Sequence, residues 1–340
     1  MNRFDRRISA APMMDWTDRH CRFFLRQFSR HVVLYTEMIT AAALLHGDRE
    51  RLLAFDPIEH PVALQLGGSD PAALASAAQY GAAAGYDEIN LNVGCPSDRV
   101  QSGAFGACLM AQPRLVAECV AAMSARVAVP VTVKVRIGIE EGAGAVPRGL
   151  EYTAQDYDRL HDFVITVAAS GCTVFAVHAR KAILNGLSPK ENREVPPLRY
   201  DVVRRLKADF PQLTVIANGG VRNLEQVRDL LLGVDGVMIG REAYHNPYLL
   251  AQIEGSLHPQ AGWAPPSRLQ VLERFTLYAE DQLRNGHTLS AMTRHILGLF
   301  SRQAGARSWR RYFSEASRQE GAGIEVLRHA CEMLRRQQAA

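Results

Sequence analysis

No run in this 340-residue chain approaches the eighteen or so apolar residues of a membrane-spanning helix, which argues against a helical membrane protein. The first residues, Met-Asn-Arg-Phe-Asp-Arg-Arg-Ile, pass directly into a polar-flanked strand pattern. They lack the apolar stretch and small-residue cleavage site of a secretory leader, so the expectation is a cytoplasmic protein. The six cysteines (Cys21, Cys95, Cys108, Cys119, Cys172 and Cys331) include no C-x-x-C pair, which argues against a zinc ribbon or an iron–sulfur cluster and for reduced thiols. None of the eleven histidines falls in an H-E-x-x-H arrangement, and no metal is expected. The dinucleotide-binding glycine fingerprint is missing too: Gly142 to Gly149, read as Gly-Ala-Gly-Ala-Val-Pro-Arg-Gly, has the wrong spacing, and Pro147 favours a surface loop.

What is present is ordinary in amount and uneven in distribution. Hydrophobic residues are 47% and charged residues 22%, values of a soluble globular chain. The net charge of +4 hides an asymmetry: from Ser267 onward there are twelve arginines, no lysine and seven acids, which leaves the first 266 residues slightly negative. Basic residues gathered in one region are the footprint of a protein that grips a polyanion, although a solvated helical surface has the same composition.

Eight β-type runs occur at 8–13, 33–38, 62–67, 88–93, 131–137, 172–178, 214–218 and 236–240. Most are followed by segments of helical apolar spacing, such as Pro71 to Ala84, Pro113 to Arg126, Thr153 to Ser170 and Asn223 to Leu232. This alternation predicts an α/β fold, a (β/α)8 TIM barrel over residues 1–253, with a doubly wound sheet as the alternative. Turn formers between Glu254 and Ser267 predict a linker over 254–266. Beyond it, Leu269, Leu272, Phe275 and Leu283, then Ile324, Leu327, Cys331 and Leu334, predict a small all-helical domain over 267–340.

The polar residues favour the barrel, because they fall at the carboxyl ends of the runs: Pro12 to Asp15, Thr36 to Met38, Gln65 to Gly68, Asn90 to Cys95, Lys134 to Arg136, His178 to Arg180, Asn218 to Gly220, and Gly240 with Arg241. In a barrel these tips converge on one face, where such enzymes do their chemistry. Cys95 stands out among them. A free cysteine is ordinarily a small buried hydrophobe, but this one ends a strand between Gly94 and Pro96, with the amides Asn90 and Asn92 before it.

The last two tips, Asn218-Gly219-Gly220 and Met238-Ile239-Gly240-Arg241, resemble the phosphate cup of flavin-binding barrels. Glycines there expose backbone N–H groups to phosphate oxygens, and Arg241 adds a charged fork. Lys134 beside Val133 and Val135 is costly to bury unless an anion meets it, and the pyrimidine edge of a reduced flavin is one. A flavin in place gives Cys95 a defined role. Reducing a conjugated carbon–carbon double bond takes a hydride at one carbon and a proton at the other, and a thiol supplies the proton as general acid.

The segments Ala11 to Asp18, Asn90 to Ser97, Lys134-Val135-Arg136 and His178-Ala179-Arg180-Lys181 resemble the tRNA-dihydrouridine synthases, and Gly186 to Leu198 (Gly-Leu-Ser-Pro-Lys-Glu-Asn-Arg-Glu-Val-Pro-Pro-Leu) resembles the A branch of that family. The resemblance implies a barrel that holds FMN, NADPH as reductant, a helical tRNA-binding domain, and uridines 20 and 20a of the tRNA D-loop, near the elbow, as targets. Carried over by motif, it implies that Pro12, Met13, Met14, Gln65, Lys134, His178, Asn218, Gly219, Gly220, Gly240 and Arg241 hold FMN, that Asn92 and Arg136 hold a flipped uracil, and that Cys95 protonates C5 after hydride reaches C6. Lys190, Arg193, Arg307 and Arg310 match positions that orient tRNA. No protein partner is implied, and a monomer is expected. The rival readings are a barrel flavoprotein acting on a free pyrimidine or an enone, and an RNA-binding barrel without turnover. The C-terminal arginines count against the first, and Cys95, Lys134 and His178 against the second. The Gly142 to Gly149 insert departs from the branch, and Gly103 and Gly106 would permit the loop after Cys95 to close.

Overall fold

β-branched and leucine-rich runs, each closed by a turn, fold as the strands of one barrel. In the computed structural model, which describes residues 4–97, 103, 105–140, 151–259 and 264–339, these are β1 (Ile8–Ala10), β2 (Val33–Thr40), β3 (Val62–Gly67), β4 (Glu88–Val93), β5 (Val131–Arg136), β7 (Val174–His178), β9 (Thr214–Asn218) and β10 (Gly236–Ile239). They close in the order β1-β10-β9-β7-β5-β4-β3-β2, every pair parallel. The expected eight-stranded barrel is therefore the observed one. Two strands of two residues each, β6 (Ile139–Glu140) and β8 (Ala182–Ile183), pair separately and were not anticipated. The Gly142 to Gly149 insert and residues 260–263 of the anticipated linker lie outside the described residues.

Several of the helices between strands start on side-chain caps. Asp70 caps Pro71–Ala83, Thr153 and Asp156 form a capping box for Ala154–Ala168, and Asn223 caps Leu224–Leu231. Alternation along the strands decides what faces what. In β4, Ile89 faces the helix Pro71–Ala83, where a Cβ on Gly81 would lie 2.8 Å from its Cδ1, so glycine there allows the close approach. Glu88, Asn90 and Asn92 therefore share the opposite face, toward the barrel axis, and all six residues of β4 are buried.

Contacts divide the chain into two compact units: residues up to Met14 with Val33–Gly240, and Asp15–Val32 with Arg241 onward. The sequence pattern places the boundary at 254–266 and keeps 15–32 with the barrel. Packing shows why 15–32 goes elsewhere: on the helix Arg19–Arg26, Phe23 stacks on Tyr278 at 3.8 Å and Phe24 meets Phe275 edge-on at 5.7 Å. This second unit also contains the helices Arg241–His245, Tyr248–Leu257, Arg268–Arg284, Leu289–Thr293, Ala306–Ala316 and Glu325–Ala339. Among the described residues no helix is long and apolar enough to cross a membrane.

The second unit buries a histidine. His20 is buried against Tyr278, its Nδ1 at 2.7 Å from the phenol oxygen, and burial, with His287, His295 and Arg19 nearby, pushes its pKa down to about 3 from 6.5 despite Asp18. The unfolded chain protonates this ring below 6.5 and the native one does not until about 3. Stability should therefore fall by ~1 kcal/mol for each pH unit across that window. His20→Gln should flatten the loss in urea melts taken between pH 6.5 and 4; an unchanged slope would place the titration elsewhere.

Candidate active site at the carboxyl ends of the strands

Cys95 lies two residues past the end of β4 and is half-buried, with Sγ 3.5 Å from Ser97 Oγ. Its position is set by Asn92, whose Oδ1 accepts the backbone N–H of Gly94 at 3.1 Å and of Cys95 at 3.0 Å. Asn92 Nδ2 in turn donates to Gln65 Oε1 at 2.8 Å, so the tips of β3 and β4 are tied together. Gly94 lies flat on β5: a side chain there would come within 3.3 Å of the Val135 carbonyl carbon.

The next tips supply positive charge. Lys134 Nζ donates to Asn218 Oδ1 at 3.1 Å, and Asn218 Nδ2 donates to the Met238 carbonyl at 2.8 Å, linking β5, β9 and β10. Burial, then the Arg136 charge, lowers the Lys134 pKa to about 8. Arg136 is buried and donates to the carbonyls of Gly94 at 3.1 Å, Asn192 at 2.9 Å and Lys181 at 3.2 Å. Burial, together with Arg193 and Arg180, lowers its pKa to about 9. His178 is held well below the usual histidine value by burial and by Arg136, Lys134, Arg180 and Arg193, so it is neutral at pH 7. Concentrating cations in a buried mouth is unfavourable unless an anion occupies it.

The glycines behave as a cradle. Gly219 and Gly220 have φ of +116° and +69°, and a Cβ on Gly219 would sit 2.6 Å from His178 Cδ2, one on Gly220 2.4 Å from Leu198 Cδ1. Tyr200 donates to the Gly219 carbonyl. Gly240 follows β10 with Ala11 near it, and Pro12 and Met13 are half-buried while Met14 is exposed. Neither position at the Gly219–Gly220 turn has room for a side chain, as a backbone that must approach a phosphate requires.

The barrel thus brings together Gln65, Asn92, Cys95, Lys134, Arg136, His178, Asn218, Gly219 and Gly220, and the charge of Arg193 reaches Arg136 and His178. Arg193 ends the short turn Glu191–Arg193 and is exposed; Lys190 is exposed beside it and does not join the others. Arg241, Arg307 and Arg310 belong to the second unit. Several supporting residues are not evident from the sequence. Buried Asn192 bonds both the N–H and the carbonyl of Ile183 and offers its own carbonyl to Arg136. Buried Lys181 pairs with Asp156 at 3.1 Å and Glu140 at 3.2 Å, pinning β6 beside β8. Both fall in segments that carry the family resemblance, His178 to Lys181 and Gly186 to Leu198, but the sequence does not name their partners.

In the second unit, His31, Glu254 and His258 bring ligand-type atoms within 4.8 Å. The Glu254 oxygens are already engaged by Ser29 at 2.5 Å and His31 at 2.6 Å, and the two imidazoles stack on each other at 3.8 Å with their planes 18° apart. This group reads as a structural clamp.

Comparison with known proteins follows the same lines. The profile of the family described as Dihydrouridine synthase (Dus) matches residues 9–335. A tRNA-dihydrouridine(20/20a) synthase of Synechocystis is 55% identical over 96% of this chain and 93% of that protein. Proteins of the same name from Vibrio vulnificus and Escherichia coli are 54% and 53% identical, covering 95% and 96% of this chain and 95% and 91% of their own lengths.

Proposed function

The chain belongs to the dihydrouridine synthase family, and on that premise we propose that it saturates the C5–C6 bond of uridines 20 and 20a in the D-loop of tRNA. It is an oxidoreductase that reduces uridine in tRNA. The observation that carries the detailed reading is a half-buried thiol at a strand end, Cys95, beside a mouth lined by Lys134, Arg136 and neutral His178.

The residues fit a flavin mononucleotide. Gly219 and Gly220, with Gly240 and Arg241, would take its phosphate; Lys134 would meet the anionic edge of the reduced ring; Pro12 to Met14, Gln65, His178 and Asn218 would bound the rest. Such a cofactor, reduced by NADPH, supplies a hydride to C6 of uracil. The protein's own residues do the remainder. Asn92 and Arg136 hold the extruded ring, Cys95 Sγ gives its proton to C5, and the resulting thiolate is reprotonated from solvent. Lys190, Arg193, Arg307 and Arg310 orient the tRNA from outside. The protein works in the cytoplasm as a monomer.

Mapping dihydrouridine on tRNA from a strain lacking this protein tests the assignment. Dihydrouridine should disappear at 20 and 20a and return with the intact gene. Loss confined to other positions would overturn the choice of target.

A further inference from the structure

We propose that Thr132 and Glu88, beneath the candidate site and outside every role given above, are positioning residues that fix the direction of a hydrogen-bond relay ending at the backbone of Cys95. The proposal deepens the reading of Cys95 as proton donor and rests on it for its catalytic consequence. The relay itself is a matter of geometry.

Its upper end is forced. Backbone N–H groups only donate, so Asn92 must turn its carbonyl oxygen to Gly94 and Cys95, and both lone pairs of Oδ1 are then used. Asn92 Nδ2 therefore donates to Gln65 Oε1 at 2.8 Å, Gln65 Nε2 to Asn90 Oδ1 at 2.8 Å, and Asn90 Nδ2 to Thr132 Oγ1 at 2.8 Å. The Thr132 hydroxyl has one proton left to place, and it goes to Glu88 Oε1 at 2.5 Å. The lower end is forced as well. Glu88 accepts from Tyr35 at 2.7 Å and from Arg6, so both its oxygens serve as acceptors. Every hydrogen from Cys95 down to Glu88 points the same way, and Glu88, Asn90, Gln65 and Thr132 are all buried at 1% exposure or less, where no water competes.

Thr132 is the coupling between a carboxyl group whose oxygens both accept and amides that could otherwise turn over. An amide offers either a donor or an acceptor on each side at little cost, so three amides in series are held more firmly when both ends impose the same sense than when one end does so alone. Without the Thr132 hydroxyl, Asn90 Nδ2 loses its acceptor, and Asn90, Gln65 and Asn92 are held from the Cys95 end alone, so the grip of Asn92 on the Gly94 and Cys95 N–H groups loosens. The relay also limits what Asn92 can offer a bound base: its acceptors are spent and one N–H remains, which selects a ring carbonyl oxygen and rejects an exocyclic amine.

The test is Thr132→Val, an isostere suited to a strand interior, with Thr132→Ser as the restoring variant. Amide hydrogen exchange at Gly94 and Cys95 should quicken roughly tenfold in the valine protein and return in the serine one. With flavin loaded, the valine protein should keep its flavin content and NADPH oxidation while uridine reduction in tRNA falls roughly tenfold, again restored by serine. Unchanged exchange overturns the relay whatever the activity. An equal fall in flavin content, NADPH oxidation and uridine reduction overturns the positioning role. If exchange responds as expected but the wild-type protein does not reduce tRNA uridine, the proposed function falls and the relay stands.

Discussion

Cys95→Ala should lower uridine reduction in tRNA by about 10²- to 10⁴-fold, the range a positioned proton donor contributes, while flavin content and NADPH oxidation stay near wild type. The selectivity follows from what holds the loop. Asn92 grips the backbone N–H groups of Gly94 and Cys95, not the thiol, so alanine leaves the tip in place. Three of the other thiols are engaged or raised by burial. Burial pushes Cys119 up to about 11 and Cys172 up to about 12, and the Cys108 thiol, also raised by burial, donates to the Phe105 carbonyl at 3.1 Å. The measurement is dihydrouridine formed per tRNA beside the NADPH oxidation rate of the same sample. Full product formation by the alanine protein would remove Cys95 from the mechanism, and parallel loss of all three readouts would make it a folding residue.

The barrel was legible because its strands are bounded by turns and end in chemistry. The sequence does not announce how the barrel is filled. β4 reads Glu-Ile-Asn-Leu-Asn-Val, an alternation that in most sheets means one wet face, yet Glu88, Asn90 and Asn92 are buried. They are tolerated because each finds its partner on another strand or segment: Arg6 and Tyr35 for Glu88, Gln65 for Asn90 and Asn92, Thr132 for Glu88 and Asn90. Those partners lie 25 to 82 residues away, and nothing local in the chain pairs them. The same distance problem concealed the partition of 15–32, whose aromatic face could serve a barrel helix equally well until Phe275 and Tyr278 claim it. β6 and β8 are too short for any periodicity to reveal. The polar strand tips were legible as a set; the contacts of Lys181 and Asn192, which hold the loops around Arg136, were not, because a buried lysine or asparagine is identified only by what it meets.

The charge asymmetry sharpens into a second large effect once the twelve C-terminal arginines are sorted by their partners. Arg284, Arg294, Arg302, Arg328 and Arg335 are in ion pairs, and Arg268 lies over Tyr248 at 4.2 Å. Of the remaining six, Arg274, Arg318 and Arg336 are scattered, whereas Arg307, Arg310 and Arg311 share one helix. On the helix Ala306–Ala316, Trp309 and Phe313 are buried, Trp309 donating to the Ile296 carbonyl at 2.9 Å, which turns the three arginines outward at helical i, i+3, i+4 spacing. They have no acidic partner among the described residues, so their charge is free for phosphate. The double variant Arg307→Ala, Arg310→Ala should bind tRNA roughly ten- to thirtyfold more weakly at physiological salt, and its plot of log affinity against log salt should flatten by about 1 to 2 in slope, one counterion released less per lost contact. Alanine is the better helix former, so the helix itself is not at risk. Arg335→Ala, which breaks a pair with Glu273 at 2.8 Å, should leave the slope nearly unchanged. Filter binding across a salt series separates the cases: an unaltered slope in the double variant means these arginines never meet the RNA, and an equal change in Arg335→Ala means that net charge, not this helix face, governs binding.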